Sequence, residues 1–199
     1  TIYKDGKMNI NDAYDMPLAD GTAGQVLTTD GAGMTSWASS STGLEQVTEA
    51  GNTGRRLAGV DTANYGNIGA DAVDLSYSGI QSDTLGATGI NSVAMGQNTT
   101  ASGIRSTAMG ENTIASGYNS TAMGAQTTAS GVVSTAMGEN TIASGYASIA
   151  MGKNTTASGY GATAMGTNST ASGNYSTATG FSTTASGILS TAMGENTIA

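Results

Sequence analysis

The chain has 199 residues, with 14 acidic against 6 basic side chains, 30 glycines and only one Phe, one Trp and one Pro. So few large side chains cannot fill a broad globular core, and the 10% of charged residues is too little for charge-driven disorder. Cys and His are both absent, which excludes disulfides and removes the usual general base and the commonest metal ligands. The composition therefore favours a thin, repetitive, non-catalytic protein without a cofactor or a metal.

Charge is concentrated in the N-terminal part, where residues 1–91 hold eleven of the acids and four of the bases. The sequence contains no basic stripe that would follow a phosphate backbone, so nucleic acid is not an expected partner. No apolar run approaches the ~20 residues that a membrane helix needs, so we expect no membrane insertion by this segment.

Residues 1–42 are expected to be a connector that contains a β-hairpin. Two short strand-like runs between Gln25 and Trp37 flank an Asp30-Gly31 turn signal.

Residues 43–91 are acidic and irregular, and we expect them to be a cap and a transition to the first coil. The open end of a stacked sheet exposes unpaired strand edges, so a non-repeating segment is needed there. The run from Asp71 to Ser76 is the expected first strand.

From Ser92 the chain divides into fourteen-residue units without insertion, seven complete and one truncated. Ala is third and Gly is fifth in every unit, Gly is twelfth in each complete unit, and Met is fourth in all but one. Glycines seven residues apart predict two turns per unit, with two strands of four or five residues between them. Residues 92–199 are therefore predicted to form an all-β parallel solenoid, with one flat coil per unit and a spacing of about 4.8 Å.

The structural core of the repeat is assigned to the Ala-Met-Gly segment of each unit. Ala and Gly suit a thin interior, whereas Met either fills that interior or forms a seam against neighbouring subunits, and both alternatives stay open. The predicted core residues are Ala94, Met95, Gly96, Ala108, Met109, Gly110, Ala122, Met123, Gly124, Ala136, Met137, Gly138, Met151 and Met165.

Aromatic residues at the variable positions are the candidate surface contacts. Tyr on an exposed corner is a frequent contact residue for glycans and proteins, although a position also varies where nothing constrains it. The candidates are Tyr118, Tyr146, Tyr160, Tyr175 and Phe181.

Two further columns have more than one interpretation. Thr recurs at the second position, and evenly spaced hydroxyls on a flat face would order water, so an ice-binding solenoid is a minor alternative to ordinary β-branched strand filling. Asn recurs at the seventh position, where it is expected to satisfy a turn or to form a stacked amide ladder.

The unit S-x-A-M-G-x-N-T-x-A-S-G-x-x resembles the fourteen-residue head repeat of YadA-like trimeric adhesins, with Met in place of the family's Ile. The resemblance covers residues 92–199, with a degenerate unit from Ser78 to Asn91. It implies a left-handed parallel β-roll, assembly as a homotrimer, and an adhesive, extracellular role. It supplies no catalytic residues.

The N-terminal part resembles a different group of proteins. The segments from Met16 to Ala38 and from Gly43 to Ser78 are similar to stretches of phage tail-fibre proteins and of tail-fibre-like surface proteins. This resemblance implies a virion fibre or similar appendage that attaches to a cell-surface glycan or protein receptor. The alternative is the head of a bacterial cell-surface adhesin of the trimeric autotransporter type.

Overall fold

The chain divides into two compact units, one of residues 1–42 and one of residues 43–199. The described residues form β-strands and one short 3₁₀ turn, and they contain no α-helix. In this computed structural model the described residues are 9–10, 14–15, 25–29, 34–39 and 43–199.

The first unit contains two antiparallel strand pairs among its described residues. Strand β1 (Asn9–Ile10) pairs with β2 (Tyr14–Asp15), and β3 (Gln25–Thr29) pairs with β4 (Thr35–Ser39). The pairing of β3 with β4 confirms the predicted hairpin, whose turn lies outside the described residues.

The second unit begins with an antiparallel hairpin, β5 (Leu44–Glu49) and β6 (Asn52–Leu57). The two residues between these strands, Ala50 and Gly51, have φ values of 49° and 83°. Two consecutive positive values are the pattern of a type I′ turn, which matches the twist of the flanking strands. A 3₁₀ turn (Thr62–Asn64) follows the hairpin.

Strand β7 (Val73–Tyr77) is the first strand on which the coils stack, as the sequence predicted. It runs parallel to β6 on one side and to the first strand of the repeats on the other. The N–H of Arg55 donates to the Ala72 carbonyl (2.8 Å), and the N–H of Val73 donates to the Ser92 carbonyl (2.9 Å). The hydrogen-bond ladder thus passes from the hairpin into the repeats without a break.

Each complete repeat contributes one five-residue strand and one two-residue strand, and equivalent residues of successive repeats pair in parallel, as Thr107 does with Thr121. The long strands join β5, β6 and β7 in an eleven-stranded sheet, while the short strands form a seven-stranded sheet. The predicted parallel β-solenoid is therefore confirmed, whereas its left hand and its trimeric state stay predictions. The long strands are β8 (Val93–Gln97), β10 (Thr107–Glu111), β12 (Thr121–Ala125), β14 (Thr135–Glu139), β16 (Ile149–Lys153), β18 (Thr163–Thr167), β20 (Thr177–Phe181) and β22 (Thr191–Glu195). The short strands are β9 (Thr100–Ala101), β11 (Ile114–Ala115), β13 (Thr128–Ala129), β15 (Ile142–Ala143), β17 (Thr156–Ala157), β19 (Thr170–Ala171) and β21 (Thr184–Ala185).

One corner of the coil differs from the sequence prediction, whereas the other begins at the predicted glycine. The long strand continues through the fifth-position glycine, and the chain turns at the seventh position, where Asn112 has a φ of 51°. The second corner is a turn in which the Ser106 N–H donates to the Gly103 carbonyl (3.2 Å) and Arg105 has a φ of 56°, the pattern of a type II turn. Because this turn begins at the twelfth position, the second strand has two residues and not four or five.

Small side chains fill the interior of the coil. Ala108 and Ala115, at the third and tenth positions, have no exposed surface. Ser106 and Thr113, at the first and eighth positions, are 1% and 0% exposed. Side chains alternate between the two faces of a strand, so the second, fourth and sixth positions point outward.

The methionines lie on the outer face of the long sheet, so the interpretation that they fill the interior is wrong for the single chain. Met95 is 37% exposed and Met109 is 36% exposed. The cause is the strand alternation, because the fourth position follows a buried third position. Of the two alternatives for Met, only the seam between subunits stays open. The predicted core methionines that lie outside the interior are Met95, Met109, Met123, Met137, Met151 and Met165.

The predicted core glycines are required by the close stacking of the coils. A Cβ on Gly110 would clash with the carbonyl oxygen of Gly124, and a Cβ on Gly117 would clash with that of Gly131. The φ of Gly110 is also 126°, a conformation that side chains with a Cβ rarely adopt. The same clash with the next coil applies at Gly96, Gly124 and Gly138.

Each coil is built from two related halves of seven residues. A buried hydroxyl, a buried Ala, a glycine stacked on the next coil and a residue of positive φ recur in this order in both halves. In one coil they are Ser106, Ala108, Gly110 and Asn112, then Thr113, Ala115, Gly117 and Asn119. The halves differ in their outward side chains and in the length of their strands.

The coil before Ser92 is longer than the repeat. Val73 pairs with Val93, which lies twenty residues further along the chain, and the six additional residues lie within the loop of residues 78–85. The predicted degenerate unit from Ser78 to Asn91 is therefore not a coil by itself. Only its last part follows the pattern of the repeat.

Candidate interaction surfaces

The outer face of the long sheet carries a row of methionines between a row of mostly Thr side chains and a row of mostly polar or charged ones, and Thr179 interrupts the Met row. Its second and fourth positions carry a β-branched residue and Met, and in the middle coils Thr121, Met123, Thr135 and Met137 are all partly exposed. Because each strand pairs in register with its copy in the next coil, these side chains form columns along the sheet. A surface of this kind on one chain is a candidate for contact with another copy.

The short sheet presents a narrower outer face, formed by the ninth and eleventh positions. Ile114 and Ile142 are 41% and 40% exposed, and Thr occupies the same position in most other coils. Ser fills the eleventh position, so this face carries more hydroxyl groups than the Met-bearing face.

Three of the predicted contact residues meet at the second corner of the coil. The rings of Tyr146 and Tyr160 are stacked, with centroids 4.8 Å apart and planes 9° apart. Tyr175 meets Tyr160 edge-on, at 5.3 Å and 62°. Loss of solvation raises the pKa of the Tyr160 phenol, with smaller contributions from Tyr175 and Tyr146. The three phenols therefore form one exposed aromatic cluster.

The other two predicted contact residues lie outside this cluster, although Tyr118 occupies the same corner two coils earlier. Tyr118 accepts a hydrogen bond from Nη1 of Arg105, whose guanidinium carbon lies 5.8 Å from the ring centre. Phe181 is the last residue of β20 and lies at the first corner, not the second. All five aromatic residues occupy variable positions in the sequence, and the structure separates them into three places.

Sequence analysis missed the aliphatic residues that share the second corner. Val132, Val133, Ile188 and Leu189 are 40%, 47%, 73% and 74% exposed. The available signal was the thirteenth position of the unit, which carries a large aliphatic or aromatic residue in every complete repeat except the one with Asn174.

A buried ionic network lies where the coil stack begins. Arg56 and Asp74 have no exposed surface. Nε of Arg56 donates to Oδ2 of Asp74 (3.2 Å), Nη1 donates to Oε1 of Glu49 (2.9 Å), and Nη2 donates to the Gly66 carbonyl (2.9 Å). A buried arginine with two carboxylates and a carbonyl has its charge and most of its donors satisfied.

Strand register explains the location of this network. Arg56 pairs with Asp74 in the adjacent strand, and Asp74 pairs with Ala94. The ion pair therefore occupies the interior column that alanines fill in the repeats. Residues 43–91 were predicted to be a cap, and this network together with the β5–β6 hairpin covers the sheet end at β7.

Tyr65 completes the polar cluster around Arg56. The guanidinium carbon of Arg56 lies 5.0 Å from the centre of the Tyr65 ring, a cation–π arrangement. The Tyr65 hydroxyl donates to the Ser76 carbonyl (3.1 Å) and accepts from the Ser78 N–H (2.9 Å). Burial raises the pKa of this phenol, so it stays neutral and available as a donor.

The predicted amide ladder is present on the first corner. Nδ2 of Asn140 donates to Oδ1 of Asn154 (2.8 Å), and Nδ2 of Asn154 donates to Oδ1 of Asn168 (3.0 Å). These residues also adopt the positive φ of the turn, so both expected roles of the Asn column are fulfilled.

Other classes of site have no counterpart in the part of the chain that the structure describes. There, no group of three or more acidic, His or Cys side chains is placed to hold a metal ion. The described residues include no helix that is long and apolar enough to cross a membrane.

Fourteen-residue coils with this register have a counterpart among known families. A family model described as the YadA head domain repeat, in two copies, matches residues 87–113, 115–132, 129–155 and 157–183. Residues 87–183 contain YadA head repeats. Among curated proteins, none matches the chain. YadA head repeats point to surface fibres of the trimeric adhesin type and suggest a surface-exposed location.

Proposed function

We propose that this chain is a non-catalytic segment of a homotrimeric, extracellular fibre whose YadA head repeats present a binding surface to a host cell. The observation that carries the proposal is the column of partly exposed methionines on the outer face of the long sheet. A row of partly exposed methionines is more than the single scattered apolar side chains normal on a monomer, and it is typical of protein contact sites.

Trimerisation gives this face a partner. Three copies around a common axis would cover their Met-bearing faces, and the short sheets and the corners would stay accessible. Three copies of one weak contact site also gain avidity, so a modest corner cluster is sufficient for attachment.

The proposed carrier is a phage tail fibre or a similar appendage that attaches to a cell-surface glycan or protein. The N-terminal segments support this choice, because they resemble tail-fibre sequences. The alternative is the head of a bacterial surface adhesin of the trimeric autotransporter type. Ice binding is disfavoured, because partly exposed Met side chains lie beside the Thr column on the outer face of the long sheet and interrupt a regular array of hydroxyl groups.

The mass of the 199-residue chain in solution tests the assembly. Light scattering should give roughly three times 19.6 kDa, together with a β-type circular dichroism spectrum. A stable monomer with the same spectrum would overturn the proposal.

A matched pair of variants tests the contact face. Met137→Glu places a charge on the long sheet and should dissociate the trimer without loss of the β signal. Ile142→Glu places the same charge on the outer face of the short sheet, in the same repeat, and should leave the trimer intact. Dissociation by Ile142→Glu alone would show that the wrong sheet was assigned to the contact.

A cell-binding assay distinguishes the tail fibre from the autotransporter-type adhesin. Fluorescently labelled trimer should bind to intact bacterial cells if it belongs to a tail fibre. Binding to animal cells or extracellular matrix, without binding to bacteria, would favour the autotransporter-type adhesin.

A further inference from the structure

The aromatic cluster at the second corner has a geometry that the proposed adhesive role does not require. Tyr146 and Tyr160 occupy the same position in successive coils, so their backbones are held next to each other by the hydrogen-bond ladder. Their rings lie 4.8 Å apart and nearly parallel, and both are about half exposed (46% and 44%).

The stacking determines which parts of the rings are accessible to another molecule. Each of the two rings covers one face of the other, and Tyr175 meets Tyr160 edge-on. The two stacked faces are not free to receive the apolar face of a sugar, so a ligand would meet mainly the phenol edges of this pair. The phenol edges, by contrast, stay open to solvent and lie next to each other.

We propose that Tyr146 and Tyr160 are a site of oxidative cross-linking, at which hydrogen peroxide used by a haem peroxidase joins the two rings in a dityrosine bond. The inference is independent of the adhesive role, because a chain that binds no receptor would still cross-link.

The reaction balances without any group supplied by the chain. Each phenol loses one electron and its hydroxyl proton to the peroxidase, which gives two phenoxyl radicals. The radicals couple through the ring carbons next to the oxygens, and the two hydrogens on those carbons move to the oxygens as the rings regain aromaticity. Overall the two tyrosines lose two hydrogen atoms, and one hydrogen peroxide is reduced to two waters.

Proximity favours this pair over the other exposed tyrosines; Tyr175 also contacts Tyr160, but edge-on and at the longer centroid distance of 5.3 Å. A radical on Tyr160 has a second phenol in contact on a rigid backbone, which makes the coupling effectively intramolecular. Tyr118 contacts Arg105 and has no aromatic ring in contact among the described residues. The exposed side chains of the pair can rotate from stacked to edge-joined geometry on the ps–ns timescale.

The test treats the intact 199-residue chain with a haem peroxidase and hydrogen peroxide. Mass spectrometry should show a single chain that has lost two hydrogens, and peptide mapping should show the peptide of Tyr146 joined to that of Tyr160. Oxidation of Met adds oxygen without joining peptides, so it is distinguished in the same spectrum.

Three controls distinguish a cross-link that depends on the folded stack of rings from one that any exposed tyrosine would form. Tyr160→Phe keeps a ring in the stack and should lower the cross-link yield about tenfold, whereas Tyr118→Phe should leave it unchanged. Denaturation before oxidation should lower the yield in the unmodified chain. Equal yields in the folded and denatured chains, an undiminished yield in Tyr160→Phe, or cross-links found mainly at Tyr118, at Tyr175 or between chains would overturn the proposal.

Discussion

Single residues decide how closely the coils can stack. A Cβ on Gly145 would clash with the carbonyl oxygen of Gly159 in the next coil, and that oxygen belongs to the hydrogen-bonded backbone. Gly145→Ala should therefore lower the free energy of unfolding by about 3 kcal/mol or more. Urea unfolding followed by circular dichroism measures this change.

Gly187 provides the matched control, because it occupies the same position in the last turn of the 199-residue chain. A Cβ there would have Ser190 Cβ as its nearest neighbour, at 3.4 Å, an ordinary contact. Gly187→Ala should change the free energy of unfolding by less than about 0.5 kcal/mol. Equal losses in the two variants would show that the carbonyl of the next coil is not the cause.

The buried guanidinium of Arg56 makes a second residue-scale prediction. Arg56→Leu leaves Asp74 buried without its cation and should cost about 3–5 kcal/mol of unfolding free energy. The neighbouring Arg55 is exposed, so Arg55→Leu should cost less than about 0.5 kcal/mol. Thermal unfolding at neutral pH compares the two, and similar midpoints would contradict the role assigned to Arg56.

The interior hydroxyls lead to a third prediction, in which removal of a buried group is expected to preserve or raise the free energy of unfolding. Oγ1 of Thr141 is buried without a hydrogen-bond partner among the described residues, whereas Oγ1 of Thr183 donates to Ser169 (2.9 Å). Thr141→Val should be neutral or stabilising by up to about 1 kcal/mol, and Thr183→Val should be destabilising by about 1 kcal/mol. A loss of stability in Thr141→Val equal to that in Thr183→Val would mean that its hydroxyl is also bonded.

The sequence predicted some of these residues and not others. Ala at the third position is small and invariant, so its place in a thin interior followed from volume alone. The burial of Arg56 did not, because its partners Glu49 and Asp74 are brought to it by a hairpin and by a parallel strand that lie apart in the sequence. Charge alone favoured an exposed position for it.

At the scale of the elements, the coil is the smallest segment that can be removed. The two halves of seven residues have the same inward pattern, but one forms the five-residue strand and the other the two-residue strand. Only a shift of fourteen residues returns each strand to its own sheet in register.

A pair of deletions tests this statement. Deletion of residues 134–147 removes one coil and should preserve the β-type spectrum and cooperative unfolding. Deletion of residues 134–140 removes the half with the long strand, so every later coil would meet the wrong sheet. The shorter deletion should therefore aggregate or unfold, and a folded, soluble product would contradict the assigned register.

The sequence predicted the number of strands per coil better than the corners between them. Fixed glycines mark the two places where the coils approach closely, and the sequence predicts a turn at each of them. The first corner lies two residues after its glycine, whereas the second begins at its glycine. Positive φ at a residue such as Val133 (58°) could not be predicted, because β-branched residues rarely adopt this conformation.

At the scale of the whole molecule, regularity made the solenoid predictable. Eight copies of one pattern fix the same pairing at every step, so errors about a single residue do not change the architecture. The longer coil before Ser92 escaped the sequence analysis, because its loop at residues 78–85 falls in a segment with a partial likeness to the repeat. Which outer face meets another chain was also undetermined, since that depends on a second copy.

The parallel ladders have a mechanical consequence for a fibre that carries load. Their hydrogen bonds run between successive coils, so a pull along the stack acts directly on the bonds of the outermost coil and leaves the next coil intact until that one has detached. Each detached coil would release fourteen residues, which extend to about 50 Å in place of a rise of about 4.8 Å. Under tension such a fibre would lengthen in equal steps and dissipate work at each step. This would lower the peak force at the point of attachment when the load rises suddenly.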